Sequence, residues 1–379
     1  MTREISPPPL KRRKLVPQDS QTKPQSIRVF SWNINGVDAF LPPTTTKITS
    51  FFKPTTSSNG RVGPTKAHPE ATSNLLRGFL SRHNWPEVLF LQELKIKQGD
   101  FKTLAALLTA INSPLNSNDT LSEDRTYTLE AVLPRDKYNA RGFQGKLYGV
   151  GTLTRKDFAR NHVARIRDVD WDLEGRVSIV ELEKRVGQGK PLALINIYAV
   201  NGTPAPYRSP ETGKVIGTRH DHKKAFHTHL RDECLALESQ GYNVVVAGDL
   251  NIARGVLDGH PNLRTHPSQH SLNRADFNAK FFGKEDNKRA QAHVTTRDEK
   301  EACVDGIDVF RALHGSERRY TYHSRTAPWG SSCDRVDLIL VSKSLWEEGL
   351  VINTGILDSP QERGPSDHVP VWVELKGPG

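Results

Sequence analysis

Short apolar runs that stop on a polar residue constrain this chain more than any other feature. Residues 27–32, 87–92, 147–154, 177–183, 192–198, 244–247, 336–341 and 369–374 are rich in Val, Ile, Leu and aromatics, as buried strands are. Where these runs end is the informative part. Asn33 and Asn35 follow the first, in Ser-Trp-Asn-Ile-Asn-Gly, and Glu93 follows the second, in Phe-Leu-Gln-Glu-Leu-Lys. Tyr198 closes another, with Asn201 just beyond it, and Asp249 and Asn251 follow Val-Val-Val-Ala-Gly. Ser366-Asp367-His368 leads into the last. One Asn-Gly or Gly-Asp is an ordinary turn former. Five polar groups in order, each beside a buried strand, predict a platform built on one shared strand edge.

The rest of the chain predicts how that platform is carried. Helical spacing appears at 74–80 and 221–238, and the polar stretch 256–300 reads as loops with short helices. No solenoid-length repeat is present. Many strands with few helices predict one α/β domain of packed sheets over 27–376. A length of 379 residues would also allow two domains, but the order of the motifs argues for one. Two segments stand apart. Residues 1–26 form a basic tail, and 41–72, rich in Pro, Thr, Ser and Gly, read as a flexible insertion.

Composition removes several classes. Hydrophobic residues at 36% support a core, yet no apolar run nears the ~18–20 residues that span a bilayer. Three cysteines make neither a disulfide framework nor a zinc pattern, which predicts a reducing compartment. Lys and Arg number 53 against 43 acids, for a net charge of +10, which fits a polyanionic partner or an anionic surface. The tail holds six of those bases and two acids. Its run Lys11-Arg12-Arg13-Lys14, between prolines, reads as a nuclear localisation signal, the alternative being a solvated tail. Without an apolar signal segment the expectation is the nucleus rather than secretion.

The donor types narrow the chemistry. Glu93, Asp249 and Asp367, with amide oxygens from Asn33, Asn35 and Asn251, are hard oxygen ligands that suit Mg²⁺, with Mn²⁺ as a substitute. His368 beside these acids can stabilise charge on phosphorus or move a proton, and Asp337 can orient its imidazole. His220, His222, His227 and His229 read as a solvated basic helix face, because a spacing of two puts neighbours on different faces.

Together, Trp-Asn-Ile-Asn-Gly, Leu-Gln-Glu-Leu-Lys, Gly-Asp-Leu-Asn, Arg-Val-Asp and Ser-Asp-His resemble the motifs of the exonuclease III / apurinic-apyrimidinic (AP) endonuclease family, within the endonuclease–exonuclease–phosphatase superfamily. The resemblance runs from about residue 27 to 375, outside the insertion and the polar loops. It implies a four-layered α/β sandwich, two packed, largely antiparallel sheets flanked by helices. It also implies a metal on Glu93, assisted by Asn33, Asn35, Asp249, Asn251, Asp367 and His368. Asp249 would orient or deprotonate the attacking water. Asn251, Tyr198 and His368 would stabilise the transition state, with Asp337 holding His368. Asn201 and Arg219 match substrate-phosphate contacts, Tyr322 an aromatic pocket position, and Arg176 either a substrate contact or an ion pair holding the fold.

Two positions depart from the pattern. Asp334 stands where many relatives carry a pocket Trp, the nearest being Trp329, and Asn35 stands where some carry Asp. Within the insertion, Ile48 and the Phe51–Phe52 pair resemble a sliding-clamp (PCNA) interaction box, although Thr45 replaces its usual Gln. The alternative is that these residues fold back on the core. The expectation is a Mg²⁺-dependent, monomeric DNA-repair phosphodiesterase acting on duplex DNA at abasic sites or 3′ ends, as AP endonuclease, 3′→5′ exonuclease or end-trimming enzyme. Its rivals are an RNA exonuclease, a tyrosyl-DNA phosphodiesterase and a non-catalytic clamp-bound DNA-binding scaffold.

Overall fold

The computed structural model describes residues 26–41, 76–139, 145–183, 189–292 and 302–377. The basic run Lys11–Lys14 and the residues Ile48, Phe51 and Phe52 lie outside the described residues.

Twelve strands build two six-stranded sheets. They are β1 (Ser26–Asn33), β2 (Val88–Gln92), β3 (Tyr127–Val132), β4 (Val150–Arg155), β5 (Val163–Arg167), β6 (Val177–Leu182), β7 (Leu192–Tyr198), β8 (Asn243–Asp249), β9 (Ile307–Asp308), β10 (Asp337–Val341), β11 (Val351–Ile356) and β12 (Val371–Lys376). The first sheet has the order β11-β12-β1-β2-β4-β3 and the second β9-β10-β8-β7-β6-β5. Each has one parallel pair at its centre, β1 with β2 and β7 with β8, and is antiparallel elsewhere.

Alternation along the strands sorts the side chains into three cores. Val29, Val88, Phe90 and Val373 of the first sheet meet Val180, Leu194, Val245 and Ile339 of the second in one buried cluster between the sheets. On the outer face of the first sheet, Phe30, Trp32, Leu89 and Leu91 are covered by α1 (Leu76–Arg82) and α2 (Phe101–Ile111) through Phe79, Leu80, Leu107 and Ile111. On the outer face of the second, Ile195, Ile197, Val244 and Val246 are covered by α3 (Arg219–Ser239) and α4 (Gln269–Phe281) through Phe226, Leu230, Phe277 and Phe281. Both faces of the central strands are therefore buried, which is why they read as unbroken apolar runs. The layering is helix, sheet, sheet, helix, the sandwich expected from the sequence.

A polar seam crosses the inter-sheet core. Gln92 donates to Ser31 Oγ at 2.9 Å and to Asn196 Oδ1 at 2.8 Å, and Asn196 donates to the Gly151 carbonyl at 2.9 Å. Thr152 and Ser178 hydroxyls pair at 3.0 Å. Each such bond adds only about 1 kcal/mol net, but orphaning a buried member costs more, so the seam pins one sheet's position on the other.

The structure adds elements that the apolar pattern does not show. Strands β3, β5 and β11 sit at sheet edges with half-exposed faces, and β9 is two residues long. Helix α4 has 13 residues and lies in the stretch expected to hold loops and short helices. Its polar surface masks Phe277 and Phe281, which join the core on the sheet's outer face.

Candidate active site

Register brings the polar ends together. Asn33 lies opposite Gln92 on β1 and β2, which leaves Glu93 as the next residue beyond the ladder. In the other sheet Asp249 is opposite Tyr198 on one side and Asp337 on the other. Gly248 makes this approach possible: its φ is +153°, and a Cβ there would lie 2.0 Å from the Ile197 carbonyl oxygen. Past the strand ends, Asn35, Glu93, Lys95 and Asn251 all adopt positive φ, between 52° and 55°. Such geometry costs about 1 kcal/mol or more per non-glycine residue. Four instances around one site show a backbone shaped by its surroundings.

Hydrogen bonds link the two sheets at this edge. Asn33 Nδ2 donates to Glu93 Oε1 at 3.1 Å and to Asp249 Oδ2 at 3.0 Å. Lys95 pairs with Glu93 Oε2 at 2.7 Å and also donates to Asn35 Oδ1. Burial pushes the Glu93 carboxyl up, but Lys95, Asn33 and the Tyr198 phenol together hold it below its ordinary value. The Asn251 N–H donates to Asp249 Oδ1 at 2.8 Å. Asp249 is pushed up to about 7, first by burial and then by the neighbouring Asp337 carboxylate.

His368 completes this group. Its Nδ1 lies 2.7 Å from Asp337 Oδ2 and its Nε2 lies 4.0 Å from Asp249 Oδ2. Burial alone would lower its pKa; Asp337 and Asp249 outweigh that and raise it to about 10, so the ring is an imidazolium at neutral pH. The loop that carries it is tied to β1. Trp32 Nε1 donates to the His368 carbonyl at 3.0 Å, and Ser366 Oγ donates to the Asn33 carbonyl at 2.5 Å.

These groups surround a cavity of about 280 Å³. Glu93, Tyr198, Asn201, Asp249, Asn251, Tyr322, Asp367 and His368 line it. Asn33, Asn35 and Asp337 do not; Asn33 stands behind Asp249 and Asp337 behind His368, while Asn35 accepts from Lys95 outside the lining. Arg176 and Arg219 lie elsewhere, bonded to Glu174 at 2.8 Å each. Arg176 also donates to the Tyr198 carbonyl at 3.1 Å and stacks over the Tyr198 ring, so it supports that residue from beneath.

Part of the wall carries no motif. Lys223, Arg264, His270, Asn273, Arg274 and Asp334 also line the cavity. Lys223 is buried on α3 and donates to the Asn251 carbonyl at 2.8 Å, and burial pushes its ammonium down to about 7. Asp334 takes a wall position, whereas Trp329 is stacked on His323 at 3.7 Å with Arg363 above it, away from the lining. The solvated face expected of the helix histidines holds only in part: His229 is exposed and His222 half-buried, but the other two are not solvated. His220 and His227 are buried, bonded to Asn273 and Asp276 at 2.8 Å each, while His222 stacks on Tyr207 and His229 on Trp171. Arg335 of the Arg-Val-Asp motif points away into a buried cluster, where it meets Asp258 at 2.8 Å and Asp308 at 2.7 Å.

The donor set fits a hard divalent cation. Glu93, Asp249, Asn251 and Asp367 face the same cavity, whereas the imidazolium of His368, its Nδ1 bonded to Asp337, has no lone pair to offer a metal. Asp249 raised to about 7 marks buried negative charge that its protein neighbours leave only partly offset.

Comparison with known proteins bears on the fold and the family. Searching curated protein sequences returns no match. Among solved structures, the catalytic domain of Xenopus laevis APE2 is 17% identical, with 93% of each chain covered and a TM-score of 0.56. AP endonuclease LMAP from Leishmania major is 17% identical, covering 98% of this chain and 93% of its own, with a TM-score of 0.58. The 3′–5′ exonuclease NExo from Neisseria meningitidis is 17% identical over 93% of this chain and 100% of its own, with a TM-score of 0.53. At these identities the likeness is one of fold. The sequence model of the endonuclease/exonuclease/phosphatase family matches residues 30–368, nearly the whole described chain, and this chain therefore belongs to that family.

Proposed function

We propose that this protein is a Mg²⁺-dependent phosphodiesterase of duplex DNA, cleaving at abasic sites or trimming 3′ ends. The observation that carries the reading is the Asp337–His368–Asp249 constellation, buried at a strand edge and opening on an acid-lined cavity.

Each residue has work that its position allows. Asp249 is held through both oxygens, Oδ1 by the Asn251 N–H and Oδ2 by Asn33, which aims the carboxylate at a water entering the cavity. It accepts that water's proton as the oxygen attacks phosphorus. His368, kept protonated by Asp337 and Asp249, donates to a non-bridging phosphate oxygen as charge grows there. Tyr198 and Asn251 line the same wall and steady the phosphoryl group, with Asn201 at the rim and Tyr322 against the sugar. Glu93 and Asp367, with Asp249 and Asn251, would hold the cation. Bound there, a divalent ion neutralises the phosphate and the departing oxygen.

A panel of abasic duplex, recessed 3′ end, 3′-phosphate nick and single-stranded RNA, each with Mg²⁺ or EDTA, tests the reading. The duplex arms should be cleaved with Mg²⁺ and spared in EDTA, and Asp249→Asn should lower the rate by about 10²–10⁴-fold. Full cleavage by Asp249→Asn would overturn the mechanism. Preferential RNA cleavage would favour an RNA exonuclease, and binding without turnover a scaffold. We further propose that Ile48, Phe51 and Phe52 dock on a sliding clamp and that Lys11–Lys14 direct nuclear import. Phe51→Ala with Phe52→Ala should abolish clamp pull-down, and alanines at 11–14 should leave a fluorescent fusion in the cytoplasm.

A further inference from the structure

Two buried cations of the cavity wall, Lys223 and Arg274, lack a carboxylate contact among the described residues; Arg274 has two backbone carbonyls, whereas Lys223 has one. Lys223 lies in the second turn of α3, whose start is fixed by a capping box between Thr218 and Asp221. Only 2% of it is exposed, yet it lines the cavity beside Asn201, Asp249 and Asn251. Its Nζ donates to the Asn251 carbonyl at 2.8 Å. No carboxylate lies within 4.0 Å of that nitrogen among the described residues, whereas Arg254, Arg311 and Arg335 each have an acid at 2.8 Å or closer. An ammonium has three donors, and the carbonyl takes one. A buried amine with no carboxylate in contact is pushed towards its neutral form, with only the more distant Asp249 favouring the ammonium, and an apolar side chain of the same length replaces it cheaply.

We propose that Lys223 is a phosphate-binding residue: its free N–H donors take a non-bridging oxygen of the nucleic-acid backbone at the scissile phosphate or the one beside it, and that phosphate is the counter-ion the fold omits. The assignment rests on the phosphodiesterase reading and adds to it the group that anchors the substrate opposite the acids. Asn251 couples the two halves. Its carbonyl holds Lys223 while its N–H holds Asp249, so a phosphate anchored on the ammonium sits at a set distance from the carboxylate that aims the water. Tight packing keeps the side chain in place, since a Cβ on Gly202 would lie 3.1 Å from Lys223 Cδ.

The test uses the full chain with Lys223→Met and Lys223→Arg. Met keeps the length and loses the charge. Cleavage of a recessed-end duplex with Mg²⁺ should fall about 100-fold in Lys223→Met, the usual effect of losing one donor to developing charge. Its melting temperature should hold or rise, and Arg should restore part of the rate. Loss of less than tenfold overturns the assignment. A rate lost together with melting temperature also overturns it, because Lys223 would then be a structural peg.

Binding gives a readout independent of turnover. In an Asp249→Asn background, the slope of log K against log salt for the same duplex should fall by about 1 on adding Lys223→Met, as for one phosphate contact removed. An unchanged slope sinks the proposal even if the enzyme is active. If the wild type cleaves nothing but the slope still drops, the phosphodiesterase reading fails and the phosphate contact stands.

Discussion

Replacing Arg335 with Met probes the buried charge beneath the site. Arg335 is 1% exposed and makes three charge-assisted bonds, to Asp258 at 2.8 Å and to Asp308 at 3.1 and 2.7 Å. Arg311 meets Asp258 at 2.6 Å, and Arg254 meets both Asp308 and Asp286 at 2.8 Å. Three arginines thus face three aspartates, and the cluster is neutral. Met fills most of the volume but leaves a net buried negative charge. Removing one partner of such a pair costs about 3–5 kcal/mol. Against a typical stability of about 5–15 kcal/mol, that is a large share. At roughly 2 °C per kcal/mol for a chain of this size, calorimetry should show the melting temperature about 6–10 °C lower.

Acid titration supplies a second measurement. Burial pushes Asp258 and Asp308 up, but Arg335 and its neighbours outweigh it and hold both carboxyls below the ordinary range. Their contribution is therefore complete above about pH 4, the ordinary carboxylate value, and is lost as pH falls towards the folded-state values. Without Arg335 both carboxyls rise and acid unfolding should begin at a higher pH. A loss below about 1 kcal/mol with an unmoved acid midpoint would refute the claim that this arginine is spent on the fold.

Three other perturbations have definite outcomes. His227 is buried and lowered to about 4, chiefly by burial, with Asp276 opposing and Lys223 and Lys280 assisting. The unfolded chain gains the proton near pH 6.5 while the folded one resists, so stability should drop by about 3 kcal/mol between pH 6.5 and 4. His227→Leu should flatten that slope in urea titrations, and an unchanged slope would discount it. Gly248→Ala places a methyl 2.0 Å from the Ile197 carbonyl oxygen, so soluble yield and melting temperature should both collapse; a well-folded, active variant would show that the strands can separate there. Asp337→Asn removes the carboxylate holding His368 and relieves its repulsion of Asp249, so single-turnover cleavage should fall about 100-fold or more without loss of melting temperature. A rate within threefold of wild type would remove Asp337 from the mechanism.

What the amino-acid order reveals here follows from the range of the interactions involved. Glu93, Asp249 and His368 are legible because each follows or precedes a run of Val, Ile and Leu that can only be a strand. Which of them touch is not legible, since the Tyr198–Asp249–Asp337 register is a pairing between distant segments. Arg335 misleads in the opposite way: it sits inside a functional motif and serves a cluster behind it. Lys223 lies in a run of Arg, His and Lys that reads as a wet surface, and only α4 packing over α3 turns its face inward. His270, Asn273 and Arg274 belong to a stretch with little apolar signal, yet helix α4 brings them to the cavity wall.

The bonds joining β1 to the His368 loop also set a schedule. Trp32 and His368 are 336 residues apart, and Asn33 and Ser366 are 333 apart. During synthesis at about 5–20 residues per second, β1 waits roughly 20–70 s for the segment that completes its edge and its catalytic end. Through that interval its apolar outer ladder is an open template for another chain. Until residues 366–368 have been made and docked, the cavity lacks the imidazole of His368 and one edge of β1 stays open.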